Sequence, residues 1–483
     1  MKYILISILL LSANYLFAQS PVEKVVETVN KSEIKAHIYF LASDELKGRD
    51  TGSPGIEKAA EYLVDELKSY GVKPVPGADG DGYYQYINFR KTQPAQSGEL
   101  QIGNQSFQLN NDFAIVKGRN IETSGSIIDL DYGLEEDFKR HDLEGKFVLL
   151  RAGTPEDSSN SGFYQHMNEK IARAREAGVK GVFEYYDFPE SYWENVVRFF
   201  NRETFELAGN DQDSLIYLWL RTENPADNSF ELTIEGMQNE IIQDKNVVGR
   251  LEGTDPELKD EFVIYSAHYD HVGIGQPDAE NDSIFNGARD NAVGVVTVLS
   301  TAKNVALYPT RRSSLFVLFT AEEKGLYGSS YYANNPLIPH KQVVYLFNSD
   351  GGGYNDTTVS TIIGLDRTTA RNLFEEANQA FGLEAIDDPT PGKNFFNRSD
   401  NVHFARVGIP APTYSMGFTA FDAEIEKYYH QRNDEADTMD YDYLLKFFRS
   451  YVLSARLIAN TDQELFWVEG DPYYEAGEKL YGR

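Results

Sequence analysis

Apolar residues recur at helical spacing between residues 32 and 70 and predict two helices. In the second, Ile56, Ala59, Ala60, Leu63 and Leu67 share one face, and Gly71 with Pro74 ends it. Between the two lies Lys47-Gly48-Arg49-Asp50-Thr51-Gly52-Ser53-Pro54-Gly55, a turn-rich loop. From about 110 to 240 the texture changes. Residues 145–151 and 182–186 read as strands, and 171–177 as a helix that Gly178 stops. Further on, apolar strands at 261–267, 313–319, 343–347 and 411–415 alternate with helices at 291–306, 324–334, 368–381 and 441–460. Such alternation predicts an α/β fold with a mixed, mainly parallel sheet sandwiched by helices. The expected division is 19–110 and 241–465 for the α/β domain, 111–240 for a small inserted α+β unit, and 466–483 for a C-terminal tail. The sequence shows no internal repeat.

Composition adds compartment and partner class. A chain of 483 residues with 41% hydrophobic and 25% charged residues is globular and too long for one simple core. Residues 1–18, MKYILISILLLSANYLFA, read as a signal peptide: Lys2, then an apolar run too short for a comfortable membrane span, then Ala18 at a cleavage site. The chain is therefore expected to be exported, periplasmic or secreted, with no membrane span after cleavage. It has no cysteine, so packing or bound metal must replace disulfides. A formal net charge of −30 repels phosphate backbones and excludes nucleic acid as a partner class. It weakly favours cationic substrates, of which a free peptide N-terminus is one.

Ligands of open α/β sheets bind beyond the carboxyl ends of the strands. At those ends the sequence places His268-Tyr269-Asp270-His271, Glu322-Glu323 and Asn348-Ser349-Asp350, with Arg289-Asp290 before a helix and Tyr428-Tyr429-His430 before the last one. Each alone has an ordinary structural explanation. Glu322 and Glu323 suit a first helical turn, where an acid gains about 0.3–1 kcal/mol from the helix dipole. Asp290 suits a helix cap, Asp350 a turn with Gly351-Gly352-Gly353, and His268 a strand end. Five such segments at one sheet edge instead point to metal chemistry. Imidazole and carboxylate donors without thiolate suit zinc, and carboxylates that bridge suit a pair of ions.

The ordered set SAHYDHVG (266–273), NGARDNAVGV (286–295), TAEEKGLYGS (320–329), NSD (348–350) and YYHQRND (428–434) resembles the co-catalytic zinc aminopeptidase family, of the leucyl aminopeptidase, aminopeptidase Y and glutamate carboxypeptidase type. GRDTGSPG (48–55) and NVVGRLEGTDPELKD (246–260) extend the likeness. It implies two Zn2+ per chain. By the same resemblance His268 and Asp350 are expected to bind one ion and Glu323 and His430 the other, with Asp290 as the bridge. It further implies Glu322 as the general base, Asp270 as the group that orients His268, Tyr429 as a donor to the oxyanion, and a cis peptide between Asp290 and Asn291. The inserted unit resembles a protease-associated domain. His271 matches no ligand position, and Asp400, His403 and Phe404 match a stretch near the substrate pocket. The implied activity is aminopeptidase action on peptides with a free N-terminus. Carboxypeptidase, dipeptidase or glutaminyl cyclase chemistry and a non-catalytic binding role are the alternatives, and the sequence specifies no oligomeric state.

Overall fold

A computed structural model describes residues 19–483 apart from 158, 210–213 and 226, so the expected signal peptide lies outside the described residues. The chain divides into two compact units. One contains the described residues up to Ile87 together with Asp244–Arg483; the other is Asn88–Gln243. The second unit thus begins before the change of texture near 110, because strands Ser97–Ile102 and Gln105–Gln108 belong to it.

The first unit is built on a mixed sheet flanked by helices on both faces. Its strands lie in the spatial order Glu384–Ile386, Val359–Ile363, Thr413–Met416, Val343–Ser349, Phe262–His268, Ser313–Phe319 and Gln238–Leu251. Phe262–His268 pairs in parallel with both Ser313–Phe319 and Val343–Ser349, and the latter pairs in parallel with Thr413–Met416. Phe262–His268 and Ser313–Phe319 are buried at every position, as expected for strands covered on both sides. Their alternation sorts the side chains. Val263, Tyr265, Phe316 and Leu318 join a core with helices Lys31–Leu41, Pro54–Tyr70, Val293–Leu307 and Tyr441–Asn460. Phe262, Ile264, Leu315 and Val317 join a second core with Tyr332, Phe404 and Trp467.

Local chemistry sets the helix ends. The Ser53 hydroxyl accepts from the Ile56 amide at 3.3 Å, Pro54 opens the helix, and Gly71 at φ 86° closes it in the left-handed region. Asp440 caps Tyr441–Asn460 through the amides of Asp442 and Tyr443. The expected tail also folds: helix Tyr474–Tyr481 packs with Phe466 and Trp467 into the second core.

The unit Asn88–Gln243 has its own eight-stranded sheet, ordered Gln105–Gln108, Ser97–Ile102, Ser229–Glu235, Ile121–Asp129, Phe147–Arg151, Gly181–Tyr186, Ile216–Arg221 and Phe113–Lys117. At its centre the Lys170 ammonium lies 2.6 Å from Glu184, with both residues buried. Glu184 also accepts from the Tyr217 hydroxyl at 2.8 Å and the Trp219 indole at 2.6 Å. Removing one partner of a buried pair strands the other charge, at a cost of roughly 3–5 kcal/mol. Lys170→Met is accordingly expected to lower this unit's unfolding free energy by about 3 kcal/mol in urea titration, and adding Glu184→Leu to recover much of the loss. A single variant within 0.5 kcal/mol of the parent, on the roughly 1 kcal/mol scale of ordinary substitutions, contradicts the pair's role.

Candidate metal centre

The parallel strands deliver their carboxyl ends to one edge, and the turns beyond them carry the polar side chains. His268 is the last residue of Phe262–His268, and Asp350 follows Val343–Ser349 directly. Glu322 and Glu323 follow Ser313–Phe319 in a turn with Ala321 at φ 56°; the next helix starts only at Tyr327. The helix-dipole explanation for these two acids therefore does not apply. Asp290 sits in the irregular turn Ala288–Ala292, and helix Val293–Leu307 has no side-chain cap, so capping does not explain Asp290 either. The Asp290–Asn291 peptide is cis. His430 lies at φ 53° in the segment before the last long helix.

These residues converge. The Nε2 atom of His268 lies 3.3 Å from Asp290 Oδ1 and 3.3 Å from Asp350 Oδ1. That of His430 lies 3.1 Å from Asp290 Oδ2 and 3.2 Å from Glu323 Oε2. Each oxygen of Asp290 thus faces a different imidazole. On the far side of the His268 ring, Nδ1 donates to the Asp270 carbonyl oxygen at 3.3 Å. This leaves the Nε2 lone pair turned toward the carboxylates. The Asp270 carboxylate is 3.7 Å from Nδ1 and takes a second task, accepting from the amides of Glu322 at 3.1 Å and Glu323 at 3.2 Å. It therefore pins the turn that presents both glutamates.

Several participants were not read from the sequence. His271 Nδ1 lies 2.8 Å from Glu323 Oε1, and its buried Nε2 has no hydrogen-bond partner among the described residues. His271, Asp290 and Glu323 form one candidate metal-holding group; His268, Asp290 and Asp350 form the other. Asp434 accepts from the backbone amides of Arg289 and Asp290 at 2.9–3.1 Å and from the Arg289 guanidinium at 3.1 Å, with both side chains buried. The guanidinium also stacks 3.6 Å from the Tyr428 ring. The Ser399 hydroxyl donates to Asp350 Oδ2 at 2.5 Å. The motif YYHQRND contained Asp434, but only the fold shows what it holds. His403 is half-buried, where burial brings its pKa down to about 4, and Phe404 lies in the second core. Asp400 is fully buried, and burial pushes its carboxyl up to about 7.

Electrostatics favour a cation here. Burial pushes the Glu322 carboxyl well above the usual carboxylate range, and although His268 opposes this, Asp350, Glu323 and Asp400 add to it. Burial opposes charge on His430, yet Asp290 and Glu323 hold its pKa up at about 10. Buried acids at this density attract protons or metal ions. The spacing fits as well. A tetrahedral ion with bonds of about 2.0–2.1 Å needs donor atoms roughly 3.3 Å apart, and the imidazole–carboxylate distances around Asp290 are 3.1–3.3 Å. A cavity opens over the group and is lined by His268, Asp290, Glu322, Asp350, Tyr429 and His430. The Tyr429 ring stacks on His430 at 4.1 Å and lies where a Cβ on Gly352 would come within 2.2 Å of it, so glycine is needed at 352.

The fold and site together define an α/β protein with a candidate metal centre at the carboxyl edge of its parallel strands. Residues 246–453 match the model of Peptidase family M28. Aminopeptidase Y of Saccharomyces cerevisiae is 24% identical over 46% of this chain and 39% of its own length. Probable leucine aminopeptidase 2 of Aspergillus fumigatus is 25% identical over 45% of this chain and 44% of its own length. Aminopeptidase YwaD of Bacillus subtilis is 22% identical over 63% and 60% respectively. The chain therefore spans about 39–60% of the length of these curated relatives. Among solved structures, an aminopeptidase from Aneurinibacillus sp. strain AM-1 shares the fold, with a TM-score of 0.57 at 20% identity over 92% of this chain and 98% of that one.

Asp434→Ala removes the acceptor that fixes the Arg289–Asp290 backbone. Residues that orient a metal ligand are worth about 10–100-fold in affinity. This variant is expected to bind Zn2+ weaker by that factor in competition with a chromogenic chelator while its far-UV circular dichroism stays that of the parent. Unchanged affinity removes Asp434 from the support of the site.

Proposed function

We propose that the protein is a zinc-dependent aminopeptidase that removes N-terminal residues from peptides and holds two zinc ions. The observation that carries this reading is Asp290, whose two carboxylate oxygens face His268 and His430 separately. His268 and Asp350 would hold one ion and Glu323 and His430 the other, with Asp290 available to both. His271 fixes Glu323 from its other oxygen at 2.8 Å. The match to Peptidase family M28 and the aminopeptidase names of the relatives support the same reading.

Bound zinc supplies Lewis acidity, lowering the pKa of a water and polarising the scissile carbonyl. The chain's own groups do the rest. Glu322 lines the cavity beside these ligands, with no imidazole in hydrogen-bond contact among the described residues, and accepts a proton from the attacking water. It then returns that proton to the leaving amine. Asp270 holds the Glu322 amide at 3.1 Å and so fixes where the base stands. Tyr429 faces the cavity from the His430 side and donates to the carbonyl oxygen as charge develops there. The unit Asn88–Gln243 is assigned as a protease-associated domain. The protein is assigned to the periplasm or exterior; among the described residues no helix is long and apolar enough to cross a membrane.

Two measurements test this. Glu322→Gln is expected to keep two zinc ions per chain by elemental analysis while kcat on an aminoacyl p-nitroanilide falls about 10²–10⁴-fold. Near-normal turnover removes Glu322 from the chemistry. Chelation is expected to abolish activity and lower thermal stability, with both regained on adding zinc; a ligand at 100 times its Kd stabilises by about 2.7 kcal/mol. One zinc per chain at full activity overturns the two-ion assignment.

A further inference from the structure

The cavity over the metal residues has two kinds of wall. One end carries the carboxylates Asp290, Glu322 and Asp350, all committed to the centre. The rest is largely apolar, with Ile363, Phe395, Phe418, Phe421 and Ile425. Arg398, the one lysine or arginine among the described lining residues, stands at the solvent-exposed rim of this cavity. Its guanidinium lies 5.4 Å from the Phe395 ring. Among the described residues it has no carboxylate partner and no hydrogen-bond acceptor, although the chain carries 75 acids against 45 basic residues. Other arginines near the site are satisfied: Arg289 by Asp434, and Arg49 by the carbonyls of Tyr269, Asn286 and Gly287. Arg398 is also tied to the centre by chain, since its neighbour Ser399 donates to Asp350.

A guanidinium is a planar fork that pairs bidentately with a carboxylate. Left unpaired at the rim of an apolar wall beside a peptidase centre, it marks the place where a substrate anion docks. We propose that Arg398 is a specificity residue that binds a substrate carboxylate, so that the site favours short anionic peptides. The inference rests on the peptidase reading above and deepens it. The carboxylate has two sources: an acidic side chain on the first residue, or the free C-terminus of a dipeptide.

The test separates the sources. Turnover of the glutamyl and glutaminyl p-nitroanilides is compared, and so is turnover of Leu-Leu and its C-terminal amide, in the zinc-loaded parent and in Arg398→Met and Arg398→Lys. One charge-assisted pair gives about 10–100-fold in kcat/KM. At least one anion-to-neutral ratio is expected to exceed about 10 in the parent, to approach 1 in Arg398→Met, and to recover partly in Arg398→Lys. The pair that responds identifies the source. Turnover with both ratios indifferent to Arg398→Met overturns this inference alone. No turnover of any of the four substrates overturns the peptidase reading and this inference with it.

Discussion

Asp290 is the constraint on which the rest of the site depends. A carboxylate that faces two imidazoles with separate oxygens must be held against rotation and against translation along its backbone. The chain does this from three sides. Asp434 takes the amides of Arg289 and Asp290. The Arg289 guanidinium neutralises Asp434, so the buried acceptor is not left as a bare charge. Asn291 donates to the Ser349 carbonyl at 3.0 Å and accepts from Gly294 at 3.1 Å, which links the turn to the strand that leads into Asp350 and to the helix behind it.

Around that pin, the parallel sheet does the gathering. Phe262–His268, Ser313–Phe319 and Val343–Ser349 run side by side, so residues far apart in sequence leave the sheet at the same edge. The cost of bringing His268, Glu323 and Asp350 together is met by burial of the strands and not by the polar groups themselves. Packed acids repel, and only the apolar cores on both faces make their assembly affordable.

Much of this was legible in the sequence. Ser313–Phe319 and Tyr441–Asn460 fall where the apolar pattern puts them, the strand because it is a continuous apolar run and the helix because it is long and periodic. The turns that carry His268, Asp290, Glu322, Glu323 and Asp350 could be singled out, since an unexplained acid or histidine at a strand end is a local signal. Three things were not legible. Val359–Ile363, although rich in β-branched residues, and the three-residue Glu384–Ile386 are too short to show a period and gain their identity from neighbours. The supporting contacts of Asp434 and His271 depend on distances across 144 and 52 positions of chain, which no local pattern encodes. Asp270 was read as serving His268, from whose Nδ1 its carboxylate lies 3.7 Å; that it also bonds the Glu322 and Glu323 amides is decided by the turn's geometry.

Arg49 donates to the carbonyls of Leu41, Tyr269, Asn286 and Gly287, and Gly48 beside it leaves no room for a Cβ, which would stand 2.5 Å from the carbonyl oxygens of Gly273 and Phe285. These bonds fasten a segment made early in synthesis to turns made more than 200 positions later. Cutting the chain anywhere in Asn88–Gln243 therefore leaves the leading fragment stitched to the trailing one by interactions that do not pass through the cut. Nicked protein would run as two bands on a denaturing gel and as one species on a sizing column.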